Sequence, residues 1–241
     1  MRIGLLHLSL AIAIACSVPF APLTWAWLPI WSSAALATVA FASLRADPRW
    51  FGKRRDGSVP ALATVALAPF LLPLWAYWHV RRPLWSEQAA HRLLPELVIG
   101  RRLLGHELGQ VEQLLDVKFE HLVDLTCEYA EAAAVRRRPG YLSLPIVDGC
   151  APRVEELVEL VQRLHQLDGP MFLHCAMGHG RASMVAAALL LARGVTTDLD
   201  EALLRIRTVR PKARPYAEQK TRLAEFWEHW HRLTASPDAA R

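Results

Sequence analysis

Phe172-Leu-His-Cys-Ala-Met-Gly-His-Gly-Arg-Ala-Ser183 decides how this chain reads. The run 171–173 is short and apolar, as in a buried strand, and it delivers Cys175 at its end. Residues 182–192 are apolar on every side, as in a helix enclosed by a core. Between them lies a loop with Gly178 and Gly180, closed by Arg181. A strand, a glycine-bearing loop and a helix start bring successive backbone N–H groups to one point, and the helix N-terminus adds its positive end. The loop 176–181 (Ala176, Met177, Gly178, His179, Gly180, Arg181) is therefore a phosphate cradle in outline. Arg181 can grip two phosphate oxygens with its planar fork. Helix N-termini and nearby cations favour the thiolate of a cysteine, so Cys175 is placed to attack phosphorus.

Such a reaction needs a proton for the leaving oxygen. Pro145-Ile-Val-Asp-Gly-Cys-Ala-Pro152 lies between a strand pattern and a helix pattern upstream of Cys175, and Asp148 is its acid. Asp124 is the alternative, but it sits inside a strand pattern.

The stretch from His174 to Arg181 resembles the H-C-x5-R signature of the protein tyrosine phosphatase superfamily, nearest its dual-specificity branch. The likeness extends over roughly residues 95–233. It implies that Cys175 is the nucleophile, His174 steadies its thiolate, Arg181 binds the phosphoryl group and Asp148 is the general acid. It also implies a phosphocysteine intermediate, no cofactor and no metal. One departure stands out. The family usually carries Ser or Thr after the signature Arg, where its hydroxyl helps the thiolate leave. Here that residue is Ala182, and Ser183 is one place on, turned by about 100° along a helix. Glu128-Tyr129 is similar to part of a Glu-Glu-Tyr-Glu stretch in mitochondrial phosphatidylglycerophosphate phosphatases, and both residues are candidate substrate contacts. So are Arg210, Arg214 and Gln219, the last as a residue that positions water. Two other uses of such a loop are a phosphate-binding module without turnover and a sulfur carrier. Asp148 has no task in either.

The rest of the C-terminal part alternates strand and helix patterns. Strands are expected at 97–99, 119–125, 141–146 and 171–173. Helices are expected at 103–115, 153–167, 182–192, 199–209 and 216–233. Alternation of this kind predicts an α/β fold, a central mixed sheet flanked by helices. The catalytic domain is expected over residues 85–241, preceded by a membrane region over 1–84.

That region has a different composition. No Lys, Arg, Asp or Glu occurs between residues 3 and 44. Segments 3–23 and 25–44 each suffice for a bilayer span of about 20 residues. The loop 45–58 carries Arg45, Arg49, Lys53, Arg54 and Arg55, a cytoplasmic signal. A third apolar segment, 59–80, contains Pro69 and Pro73. It either spans, which puts the domain opposite the basic loop, or re-enters, which keeps the domain cytoplasmic. The need for a reduced thiolate favours the second. The layout is similar to bacterial membrane phosphatases of the dual-specificity type, which implies a multi-pass protein of the inner membrane. The expected partners are the bilayer and a phosphorylated lipid or phosphoprotein substrate. A net charge of +5 suits an acidic partner. Without a nucleic-acid motif, lipid is the expected one. Cys16, Cys127, Cys150 and Cys175 match no zinc spacing and are expected as free thiols.

Overall fold

The computed structural model describes residues 2–235. Five strands form one sheet in the order β1-β2-β5-β3-β4. They are β1 Ala90–Leu94, β2 Leu97–Arg101, β3 His121–Asp124, β4 Tyr141–Ser143 and β5 Met171–Cys175. β1 pairs antiparallel with β2, and the other pairings are parallel. The sheet is thus mixed, as expected. β5 lies in its centre and is fully buried, with Cys175 at its C-terminal end. In open α/β sheets ligands bind beyond the carboxyl ends of strands, and the signature loop leaves the sheet there. β1 was not anticipated. Its Ala-His-Arg-Leu-Leu sequence has too short an apolar run, and only its pairing with β2 makes it a strand.

Six helices belong to this half: α5 Glu107–Leu114, α6 Ala133–Arg136, α7 Val154–His165, α8 Arg181–Ala192, α9 Leu199–Val209 and α10 Ala217–Ala235. α7 turns Leu157, Val158, Val161 and Leu164 inward. α8 is buried from Arg181 to Leu191 and joins the sheet to α7, α9 and α10. The Asp198 carboxylate caps α9 by accepting from the N–H groups of Asp200 and Glu201.

The N-terminal region forms four helices, α1 Arg2–Ser17, α2 Trp27–Arg45, α3 Ala61–Ala66 and α4 Ala68–Arg81. Ile3–Phe20 and Trp27–Arg45 are long and apolar enough to cross a membrane. At 1.5 Å per residue the 19 residues of α2 reach about 28 Å. α1 and α2 form a hairpin whose open end meets the α/β half. At that end Ile3 lies against Gly149, and the Ser43 carbonyl accepts from Cys150 Sγ at 3.3 Å.

The segment 59–80 is two helices broken at Leu67, and the 14 residues of α4 are too short for a span. Before it, the Gly57 carbonyl accepts from Glu131 N at 2.9 Å. Midway, the Ala66 carbonyl accepts from Trp31 Nε1 on α2 at 3.1 Å. Near its end, Trp78 Nε1 donates to the Ala176 carbonyl at 3.1 Å. The chain just before the segment and its last turns therefore touch the α/β half, and its middle lies alongside α2.

Candidate active site

Cys175 Sγ accepts from the N–H of Gly178 at 3.2 Å. Gly178 has φ +73°, and a Cβ there would come within 2.4 Å of the Gly100 carbonyl. Only glycine fits this bend against β2.

The loop's shape is enforced from outside. The Ala176 carbonyl accepts from Trp78 Nε1 at 3.1 Å and Arg102 N at 3.3 Å. The Met177 and Gly178 carbonyls accept from Arg210 Nη2 at 2.8 Å and Nε at 3.0 Å. The His179 carbonyl accepts from Arg214 N at 2.9 Å. With four consecutive carbonyls held outward, the peptide N–H groups are left for the interior, which is the requirement for an anion nest.

Arg181 opens α8, fully buried. Its Nη2 donates to Glu128 Oε1 at 2.6 Å, and its Nη1 to Glu128 Oε2 and the Ile146 carbonyl, both at 2.9 Å. Burial works against the Glu128 charge, but Arg181 outweighs it and keeps the carboxyl below its ordinary range. Asp148 Oδ1 lies 3.0 Å from Arg181 Nη2 on a side chain 61% exposed. The structure thus brings together Cys175, Arg181 and Asp148. An exposed carboxylate stands beside a buried guanidinium, and the Cys175 thiol is only 3% exposed.

A family model described as the Swiss Army Knife protein's DSP-PTPase phosphatase domain, PTP-SAK, matches residues 100–224. This chain belongs to the PTP-SAK family. It is therefore a phosphatase of the dual-specificity and protein tyrosine phosphatase fold, a phosphoric monoester hydrolase. Among solved structures, that of Tk-PTP in the active form is 28% identical, with a TM-score of 0.51 over 60% of this chain and 98% of that one. PTPMT1 in complex with PI(5)P is 17% identical, with a TM-score of 0.52 over 61% of this chain and all, 100%, of that one. A mouse putative dual specificity phosphatase complexed with zinc tungstate is 21% identical, with a TM-score of 0.50 over 63% and 94%. The last two share the fold.

Within the PTP-SAK domain several expected substrate contacts lie elsewhere. Glu128 is buried and spent on Arg181. Tyr129 is buried beside Trp78 and under the Arg102 guanidinium. Arg210 is buried, and besides the loop carbonyls it bonds the Gln88 carbonyl and pairs with Glu87 at 3.1 Å. Gln219 is buried, donating to the Cys150 carbonyl at 2.9 Å and accepting from Tyr216 N at 3.0 Å. These four shape the site from behind. Arg214 is exposed and meets the loop through its backbone. His179 turns away from Cys175 to Glu87, 2.6 Å off.

Asp124 is not free to act as an acid. It is fully buried, accepts from the Tyr141 hydroxyl at 2.7 Å and from Thr126 N at 2.8 Å, and is ion-paired with Lys53 Nζ. His174 and Glu131 lie next to it, with His174 Nε2 3.7 Å from Glu131 Oε2. Burial lowers His174 to about 4, so the imidazole behind the nucleophile is neutral at pH 7. Ligand atoms of Asp124, Glu131 and His174 lie within 4.8 Å of one another, and the Lys53 ammonium supplies a fixed positive charge there.

Sequence reasoning missed Lys53, Trp78 and Tyr216. Tyr216 is 49% exposed and borders Gly180 at the mouth. Ala182 is fully buried in the first turn of α8, and the buried Ser183 Oγ has no hydrogen-bond partner. All four cysteines are free, and burial pushes the Cys150 thiol up to about 11.

Proposed function

We propose that this chain is a membrane-held phosphomonoesterase that works through a phosphocysteine and acts on a lipid headgroup. The observation that carries the reading is the bond from Trp78 Nε1 to the Ala176 carbonyl. Through it the phosphate loop rests on the same apolar region that contains the two span-length helices.

In the first step Cys175 Sγ attacks phosphorus, the S–P bond forms, and the P–O bond to the alcohol breaks. Asp148 gives the departing oxygen its proton. Arg181 and the inward N–H groups hold the three equatorial oxygens, where charge is spread in the transition state. In the second step water attacks phosphorus, its proton passes to Asp148, and the thiolate leaves. Arg181 is already fixed by Glu128, so it needs no reorganisation when phosphate arrives. Asp148 occupies Arg181 Nη2 in the free enzyme and must give way to a phosphate oxygen.

The basic loop and the catalytic domain share one side of any membrane. Lys53 is buried against Asp124, and Asp56 pairs with Arg136 at 3.7 Å. The return of segment 59–80 to the catalytic loop supports re-entry rather than a third span. By the positive-inside rule that side is the cytoplasm.

The test is a panel of phosphorylated lipids in mixed micelles, phosphopeptides and p-nitrophenyl phosphate, with full-length protein and Cys175→Ser as control. Lipid phosphomonoesters should be the best substrates, and Cys175→Ser should release no phosphate. A clear preference for phosphopeptides would make this a protein phosphatase at the membrane. Near-normal turnover by Cys175→Ser would remove the mechanism.

A further inference from the structure

A cavity of about 180 Å³ lies between the N-terminal helices and the acid loop. Ile3 of α1, Val39 of α2, and Phe70 and Leu74 of α4 form its apolar walls, His7 of α1 adds a polar ring, and Asp148 and Glu128 close its polar end. We infer that this cavity takes the glycerol and the first acyl carbons of a membrane lipid whose phosphomonoester is held at Cys175 and Arg181.

The inference rests on the lipid reading above and adds where the lipid lies. A general acid must sit beside the leaving oxygen, so whatever carries the phosphate emerges past Asp148. The space that Asp148 borders opens among side chains of α1, α2 and α4. The occupant must therefore have an anionic end matching Arg181 and an apolar body matching Ile3, Val39, Phe70 and Leu74. A lipid phosphomonoester lying in the bilayer has both. Binding sites for such molecules are mostly apolar, with a few placed polar groups.

His7 is one such group. It lies within the first apolar span, a position where an ionisable residue marks a function by default. Its ring meets Phe70 edge-on at 5.4 Å, and its Nδ1 is buried with no hydrogen-bond partner. An ester or hydroxyl oxygen of a glycerolipid supplies the missing partner.

The test uses the full chain in mixed micelles. A long-chain phosphatidate and p-nitrophenyl phosphate are compared as the ratio of their kcat/KM values. Val39→Phe fills the cavity, and His7→Leu removes its polar group while keeping its size. Each should lower the lipid-to-aryl ratio, Val39→Phe by about tenfold or more, with the loss in KM for the lipid. Leu6→Phe, on the exposed face of α1 (Leu6 is 67% exposed), should leave the ratio unchanged. The aryl rate reports on folding. If wild type cleaves the lipid while both cavity variants keep its ratio, the cavity assignment is wrong and the lipid reading stands. If wild type cleaves p-nitrophenyl phosphate or a phosphotyrosine peptide but not the lipid, the lipid reading fails and the cavity assignment falls with it.

Discussion

Asp148 faces Arg181 at 3.0 Å, and its side chain is exposed while Ile146, Val147 and Cys150 on either side of it are buried. Asp148→Asn keeps the shape and removes the proton. It should lower kcat for an alkyl phosphate by roughly 10²–10⁴-fold, the usual contribution of a positioned acid, and affect p-nitrophenyl phosphate far less, because that leaving group needs little protonation. Equal losses on both would assign the proton to another group. The strand, glycine loop and helix start that carry Cys175 and Arg181 were legible in sequence because they are local features. Glu128 was not legible as the partner of Arg181. It stands 53 positions away along the chain, and only the side-by-side packing of β3 and β5 joins them.

β3 ends at Asp124, and the strand's position depends on a residue from the basic loop. Lys53 Nζ is fully buried and donates to Asp124, to the Thr126 carbonyl at 2.9 Å and to the Thr126 hydroxyl at 2.9 Å. Burial alone would raise the Asp124 carboxyl, but Lys53 and its other partners outweigh that and hold it well below the usual carboxylate range. A depressed carboxylate contributes stability that is fully present above its unfolded value, near 4, and is lost as pH falls through the folded value. Acid unfolding is therefore expected below about pH 4. Lys53→Met leaves a buried charge unpaired and should cost about 3–5 kcal/mol, moving the acid midpoint upward. Lys53→Met with Asp124→Asn should recover most of that loss. Denaturant and pH melts followed by near-ultraviolet circular dichroism would show it, and a Lys53→Met curve matching wild type would refute the role. Sequence showed Lys53 only as one cation in a basic run, since nothing local distinguishes a buried lysine from its solvated neighbours. The elements themselves were mostly legible. α9 has the expected bounds because Asp198 caps it and its periodicity is clear. The strand at 141–146 proved shorter, ending at Ser143 as the chain turns toward Asp148.

The chain as a whole is less divided than its composition suggests. The change near residue 84 reads as a membrane region followed by a catalytic domain, yet bonds crossing it reach the heart of the site. Trp78 holds the loop at Ala176, Trp75 Nε1 donates to the Glu128 carbonyl at 2.9 Å, and Lys53 anchors β3. No pattern in sequence announces these contacts, because each joins residues more than 50 positions apart. The apolar segments were visible, while the break at Leu67 and the return of α4 follow from Pro69 and Pro73 acting with tertiary packing. The central claim is that phosphate passes through Cys175. With Ala182 in place of a hydroxyl residue, the second step should be the slower one, so the intermediate should accumulate. Full-length protein in micelles should be mixed rapidly with a substrate carrying radiolabelled phosphate, denatured at intervals and digested. Label should rise to nearly one per active site on the peptide containing Cys175, precede steady phosphate release, and be absent in Cys175→Ser. Steady release by wild type with no label on Cys175 at any time would contradict the account.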